Sequence, residues 1–262
     1  MTDQRKVVAI IPAAGSAARL SPLPCSKELY PVGLHTEGDG VQRPKVVAQY
    51  LIEQLELAGI RKIFVSLRRG KEDIMTYFGD GASLGVDIAY LVTTIPYGAP
   101  YTIDRAYQFV KEDIVALGFP DILFESGAAF SAVLRRQGQR QADVVLGLFP
   151  ADRPDKCDMV DVDGSGVVRQ IVIKQQESPL PWTWGIAVWS PSFTRYMHDY
   201  LKDHLQRGAS APELFVGDVI RAAIDDGLRV EAIPVSDSPF IDIGTPEDLA
   251  RAIDRYTHLH DT

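Results

Sequence analysis

Cysteine is scarce in this chain: its 262 residues contain two, Cys25 and Cys157, far apart and outside any Cys-x-x-Cys or Cys/His spacing. That excludes a disulfide framework or a structural zinc site as the organising element. Free thiols fit a reducing compartment, so the expected location is cytoplasmic. No hydrophobic run is long enough to cross a bilayer, and the apolar stretch from Val7 to Ile11 is too short for the core of a signal peptide, so no membrane role is expected. A basic surplus is missing too. With 27 Lys and Arg against 35 Asp and Glu the formal net charge is −8, which argues against a nucleic-acid surface built from clustered cations. Two phosphate-binding fingerprints are also absent. No Gly-Lys-Ser/Thr completes a Walker loop, and the first strand is not followed by the three-glycine turn of a dinucleotide site, which counts against a NAD-dependent dehydrogenase.

What is present is enough apolar material, 46% of residues, to bury a sizeable core. Strand-like runs at Val7–Ile11, Lys62–Leu67, Val86–Leu91, Ile114–Leu117 and Val144–Phe149 alternate with amphipathic segments at Lys45–Leu57, Gly70–Phe78 and Phe124–Arg136. This is the rhythm of an α/β sheet. The second half adds strands at Met159–Val162, Val167–Ile173, Trp184–Trp189 and Arg229–Ile233, and helices at Ser192–Gln206 and Pro212–Asp225. A last helix opens at Thr245-Pro246, with Thr as N-cap and Pro in the first position. No repeat or long linker divides the chain.

Chemistry concentrates in the first loop. After the strand Val7–Ile11 come Ala13, Ala14, Gly15, Ser16, Ala17 and Ala18, then Arg19 and, eight positions later, Lys27, with Pro22, Pro24 and Pro31 forbidding a regular helix. Small residues let backbone amides approach a ligand at the carboxyl edge of a sheet, and the two cations differ in use, a planar fork and a point charge. The combination suits a polyphosphate; a solvated βα turn is the plainer alternative.

Ala14-Gly15-Ser16-Ala17-Ala18-Arg19-Leu20-Ser21-Pro22 and Ser26-Lys27-Glu28-Leu29-Tyr30-Pro31-Val32 together resemble the signature of the sugar-phosphate nucleotidyltransferases, Gly-x-Gly-Thr-Arg-Leu-x-Pro followed by Lys-x-Leu-x-Pro-Val, and the resemblance continues from about Lys6 to Ile253. It implies a Rossmann-like α/β fold of the GT-A type, with a mixed, mostly parallel central sheet flanked by helices and a smaller β-rich sugar-binding part. It also implies one domain over 1–262, with a nucleotide-binding half of about 1–125 and an acceptor-binding half of about 126–262. The implied reaction joins a nucleoside triphosphate, dTTP or UTP before CTP, to a sugar 1-phosphate, giving an NDP-sugar and pyrophosphate with Mg2+ as cofactor.

By the same resemblance Arg19 and Lys27 are catalytic, and Ala13, Ala14, Gly15, Ser16, Ala17 and Gly98 bind the nucleotide. Lys174, Trp184 and Gly185 meet the acceptor. Asp121, displaced by two residues, and Asp242, in Phe240-Ile241-Asp242-Ile243-Gly244-Thr245-Pro246, bind the metal. The expected partners are these two small molecules; a homo-oligomer is left open.

The chain also departs from the pattern. Ala17 and Ala18 replace the second glycine and the threonine, Ile173 an acidic residue, and Asp158 a glycine, the last two at positions that touch the sugar in the family. The loop beginning Gly98-Ala99-Pro100-Tyr101-Thr102 lacks the base-reading Gly-x-x-Gln-Ala, and His35–Arg43 reads as a polar insertion, either a lid or a surface loop. Two alternatives follow: a non-catalytic nucleotide- or nucleotide-sugar-binding regulatory protein, or a nucleotidyltransferase for a non-sugar phosphate.

Overall fold

Strand β1 (Val7–Pro12) is apolar throughout because it is covered on both faces, as central parallel strands are. In the computed structural model, which describes residues 6–258 apart from 37, 39, 95–97 and 207–212, Val8 and Ile10 enter one core while Ala9 and Ile11 enter another. The remaining strands are β2 (Pro31–Thr36), β3 (Gln42–Val46), β4 (Lys62–Arg68), β5 (Asp87–Thr93), β6 (Ile114–Gly118), β7 (Ile122–Leu123), β8 (Val144–Pro150), β9 (Asp158–Val162), β10 (Val168–Ile173), β11 (Trp182–Trp189), β12 (Val230–Pro234) and β13 (Ile241–Asp242). The helices are α1 (Val47–Leu57), α2 (Glu72–Phe78), α3 (Ala99–Asp104), α4 (Tyr107–Val110), α5 (Ala129–Arg140), α6 (Pro191–Gln206), α7 (Val216–Asp225) and α8 (Pro246–His258).

The central sheet has nine strands. β5, β4, β1 and β6 lie side by side and parallel. β11 then joins β6 antiparallel, and β8, with β12 parallel beside it, lies on the far side of β11. One end of β11 also pairs with β9, which carries β10. Only β10 and β11 run against the rest, so the sheet is mixed and mostly parallel, as expected. Residues of α3, α4, α6 and α7 fill the core on one face, and residues of α1, α2 and α5 fill the other.

Four local expectations are corrected. Lys45 and Val46 belong to β3, and α1 starts at Val47. The helix read at Phe124–Arg136 is α5, Ala129–Arg140; Phe124 is instead buried in the core, and the Ser126 hydroxyl donates to the Val235 carbonyl (2.7 Å), tying that stretch to the end of β12. The helix read from Pro212 begins at Val216; Pro212 lies outside the described residues. The supposed insertion is flanked by a hairpin, with His35 opposite Arg43 and Thr36 opposite Gln42. Its polarity hid it, because its apolar contact is tertiary: Val32 joins Val47, Leu123, Ile241, Ile243, Ala252 and Tyr256 in a third, smaller core beneath α8.

Candidate active site

The first loop leaves the carboxyl end of β1 and is tied to β4 at once, the Ala13 amide donating to the Ser66 carbonyl (2.9 Å). Ala13 is therefore buried and serves the frame, while Gly15 and Ser16 are exposed. Ala17 adopts a left-handed φ of 52°. An L-residue with a Cβ is strained there by roughly 1–2 kcal/mol, and glycine is not. Ala17→Gly is expected to stabilise the protein by about 0.5–1 kcal/mol after the extra freedom of glycine in the unfolded chain is counted, which corresponds to a melting temperature about 2 °C higher by calorimetry.

Lys27 opens a single 3-10 turn, Lys27–Leu29, anchored from behind where the Ser26 amide and hydroxyl donate to Asp73 of α2, each at 2.7 Å. Its ammonium forms an ion pair with Asp121, which follows β6. Burial acts to lower the Lys27 pKa, but Asp121, Asp242 and Glu28 more than offset it and hold the ammonium charged. The Asp121 carboxyl is likewise held below its ordinary value by Lys27, against burial.

Asp121 and Asp242 are 121 positions apart in sequence and are joined by the ribbon β7–β13. Ile122 pairs with Asp242, and the Ile243 amide donates to the Asp121 carbonyl (3.0 Å). Burial and the Asp121 carboxylate push the Asp242 carboxyl up to about 6, with Lys27 and Arg19 opposing. Asp242 Oδ1 is buried with no hydrogen-bond partner among the described residues. A buried orphan oxygen beside a second carboxylate is a setting that a hard cation relieves. No three acidic, His or Cys side chains gather as a metal site among the described residues, so ligand oxygens and water would complete the coordination of a magnesium ion. Arg19 does not line the open cleft; it lies against this ribbon, where a methyl on Gly244 would come within 2.9 Å of its Nη2 and 3.2 Å of Asp242 Oδ1.

The cleft itself has a volume of about 610 Å³, in the range of small-ligand sites, and Ala14, Gly15, Ser16, Lys27, Gly98 and Asp121 are among the residues that line it. Gly98 has φ 110°, and a Cβ there would lie 2.3 Å from the Leu214 carbonyl oxygen, so close chain packing requires this glycine. Ile95, Pro96 and Tyr97 lie outside the described residues.

Sequence reasoning missed other residues here. Arg68 and Arg69 line the same cleft, and Lys71 is buried against Glu28, Nζ to Oε1 at 2.6 Å, just behind Lys27. Their signal was available: three cations in four positions at the carboxyl end of a parallel strand, in an acidic chain.

Lys174, Trp184 and Gly185 are not among the residues lining this cleft. Phe119 does line it, and packs on the Trp184 ring at a centroid distance of 5.8 Å. Lys174 leaves β10 with φ 37° and places its ammonium 3.7 Å above the Phe215 ring. The space a side chain would fill at Gly185 is bounded by Phe149 and Phe240, 3.1 Å from a built Cβ, so this glycine serves aromatic packing within the core.

A family model described as nucleotidyl transferase matches residues 8–258. The low-salt glycan biosynthesis nucleotidyltransferase Agl11 of Haloferax volcanii is 28% identical over 247 residues, covering 93% of this chain. This chain spans 64% of the length of that relative. A glucose-1-phosphate thymidylyltransferase of Mycobacterium tuberculosis is 25% identical over 251 residues, covering 94% of this chain and 80% of the relative. Among solved structures, a Bacillus anthracis protein described as a glucose-1-phosphate thymidylyltransferase superposes with a TM-score of 0.79 at 20% identity, over 95% of each chain, a likeness of fold.

Proposed function

The chain belongs to the nucleotidyl transferase family, and from that premise we propose that it transfers a nucleoside monophosphate from a nucleoside triphosphate, dTTP or UTP in preference to CTP, to a sugar 1-phosphate. The observation that carries this reading is the meeting of Lys27, Asp121 and Asp242 at a cleft walled by Gly15 and Ser16. An oxygen of the acceptor phosphate attacks the α-phosphorus in line; that P–O bond forms as the bond to the β-phosphate oxygen breaks, and pyrophosphate leaves. Catalysis of this kind is positioning and charge neutralisation, so no protein nucleophile is required.

Lys27 supplies a fixed positive charge to the phosphates, kept protonated by its carboxylate neighbours. Gly15 and Ser16, exposed at the cleft, offer backbone amides to phosphate oxygens, and Arg68 and Arg69, which line the same cleft, add charge. Asp121 and Asp242 would hold magnesium, which when bound neutralises and orients the phosphate oxygens.

The test is a screen of five nucleoside triphosphates against sugar and non-sugar phosphates, read by pyrophosphate release. The expected result is release with dTTP or UTP and a sugar 1-phosphate. Chelation with EDTA is expected to reduce the rate at least a hundredfold and added magnesium to restore it. Nucleotide binding without pyrophosphate release from any pair would overturn the reading.

A further inference from the structure

One wall of the cleft is a helix of only six residues, α3. Gly98, which caps it, and Ala99 and Thr102 within it line the cleft. A helix this short has little stability of its own, so its position is set by what it packs against. At one end Gly98 packs closely on the Leu214 carbonyl. Further support comes from α6, which is anchored in the core by Phe193, Met197 and Leu201.

Tyr101 and Asp104 of α3 are not among the residues lining the cleft; they reach α6 instead. The Tyr101 hydroxyl meets His204 Nδ1 at 2.7 Å, and His198 Nδ1 lies 2.9 and 3.0 Å from the two carboxylate oxygens of Asp104. An ionised carboxylate only accepts, so His198 Nδ1 carries the proton and donates, and a further proton enters at Nε2. The Tyr107 ring of α4 lies flat on the His198 imidazole, with centroids 3.6 Å apart and planes within 5°. Protonation therefore keeps the hydrogen bond and adds a positive charge between a carboxylate and an aromatic face, both of which favour it.

Other charges surround the pair. Burial raises the Asp104 carboxyl, opposed by His198, Lys202 and Arg105. Of these, Lys202 and Arg105 disfavour a charged His198, although Lys202 also lies 3.6 Å from Asp199. From α7, Asp226 accepts from the Tyr196 hydroxyl (2.7 Å), and beyond α4 Glu112 meets Arg195 (3.7 Å). The contact between Tyr101 and His204 survives protonation, because a phenol hydroxyl either donates or accepts.

We propose that His198 and Asp104 are positioning residues for the nucleoside triphosphate: the pair braces α3 against α6, holds Ala99 and Thr102 in place at the cleft, and tightens when the imidazole is protonated. A histidine changes charge between about pH 5 and 8. Below that transition the brace is an ion pair. Above it the same hydrogen bond remains without the charge, so affinity for the triphosphate falls as pH rises.

The inference takes its ligand from the nucleotidyl-transfer reading, and its test separates the two. Calorimetric titration with UTP and magnesium at about pH 6 and about pH 8 compares variants at the same pH, which cancels the titration of the triphosphate and of Asp242. His198→Ala is expected to weaken UTP binding about threefold at the higher pH and about tenfold at the lower. His198→Asn keeps a donor where Nδ1 stands and gains no charge; it is expected to recover most of the loss at the higher pH and little of it at the lower. In turnover with the acceptor selected by the screen, His198→Ala should raise the KM for the triphosphate and leave kcat and the acceptor KM within about twofold. A loss of equal size at the two pH values, or binding within about twofold of the unaltered protein for both variants, would overturn the proposal.

A second readout needs no nucleotide. Amide hydrogen exchange of α3, corrected for the intrinsic rate at each pH, should be faster in His198→Ala than in the unaltered protein, by a larger factor at the lower pH. If UTP does not bind and the screen shows no pyrophosphate release, the transfer reading fails. Faster α3 exchange still supports the brace in that case, whereas unchanged exchange would overturn it.

Discussion

Lys27→Met is expected to lower pyrophosphate release by about a thousandfold, equivalent to about 4 kcal/mol of lost transition-state stabilisation. The reason is local. The Lys27 side chain is 13% exposed and its ammonium is aligned by Asp121, so its charge acts on bound phosphates with little screening by water and little reorganisation. Methionine keeps the volume and removes the charge, leaving Asp121 beside Asp242 without the cation that both of them face. Lys27→Arg is not a rescue, because a planar fork cannot occupy the point-charge position between the two carboxylates. The measurement is steady-state pyrophosphate release, with a cooperative thermal melt to establish that the variant folds. Turnover within tenfold of the unaltered protein would remove Lys27 from the catalytic centre.

Lys71→Met is expected to destabilise the fold by about 3–5 kcal/mol, the largest effect on stability among these variants. The Lys71 and Glu28 side chains are only 4% and 2% exposed, and the pair sits directly behind the turn that presents Lys27. Removing one member leaves the other charge buried without its partner, and Glu28 already has one oxygen, Oε2, without a hydrogen-bond partner among the described residues. The double change Glu28→Met with Lys71→Met restores most of the loss, since an apolar pair of similar volume carries no desolvation penalty. Urea denaturation of the two single variants and the double variant measures the coupling. Additive losses would show that the two side chains act independently.

The architecture was legible because near-continuous apolar runs alternate with helical stretches, and burial on both faces leaves an unambiguous signature in β1, β6 and β8. The hairpin β2–β3 was not legible, since its strands are short and polar and its apolar support comes from α8 and β13, distant in sequence. Gly185 was readable as a glycine with a purpose but not as to which purpose; only the positions of Phe149 and Phe240 show what its missing side chain makes room for. The same holds for Ala17. Its place in the loop was plain, whereas its left-handed φ is a property of the folded backbone.

By itself the sequence determined the α/β class, because the alternation of apolar runs and amphipathic stretches suffices for that, while the two carboxylates worth watching came from the resemblance of their motifs to the family. Tertiary structure alone decided that Lys27, Asp121 and Asp242 are neighbours, and that His198 meets Asp104. The physical reason is contact between elements remote in the chain: β7 with β13, and α3 with α6. Such contact is fixed by burial summed over the whole core, and no short stretch of sequence contains it.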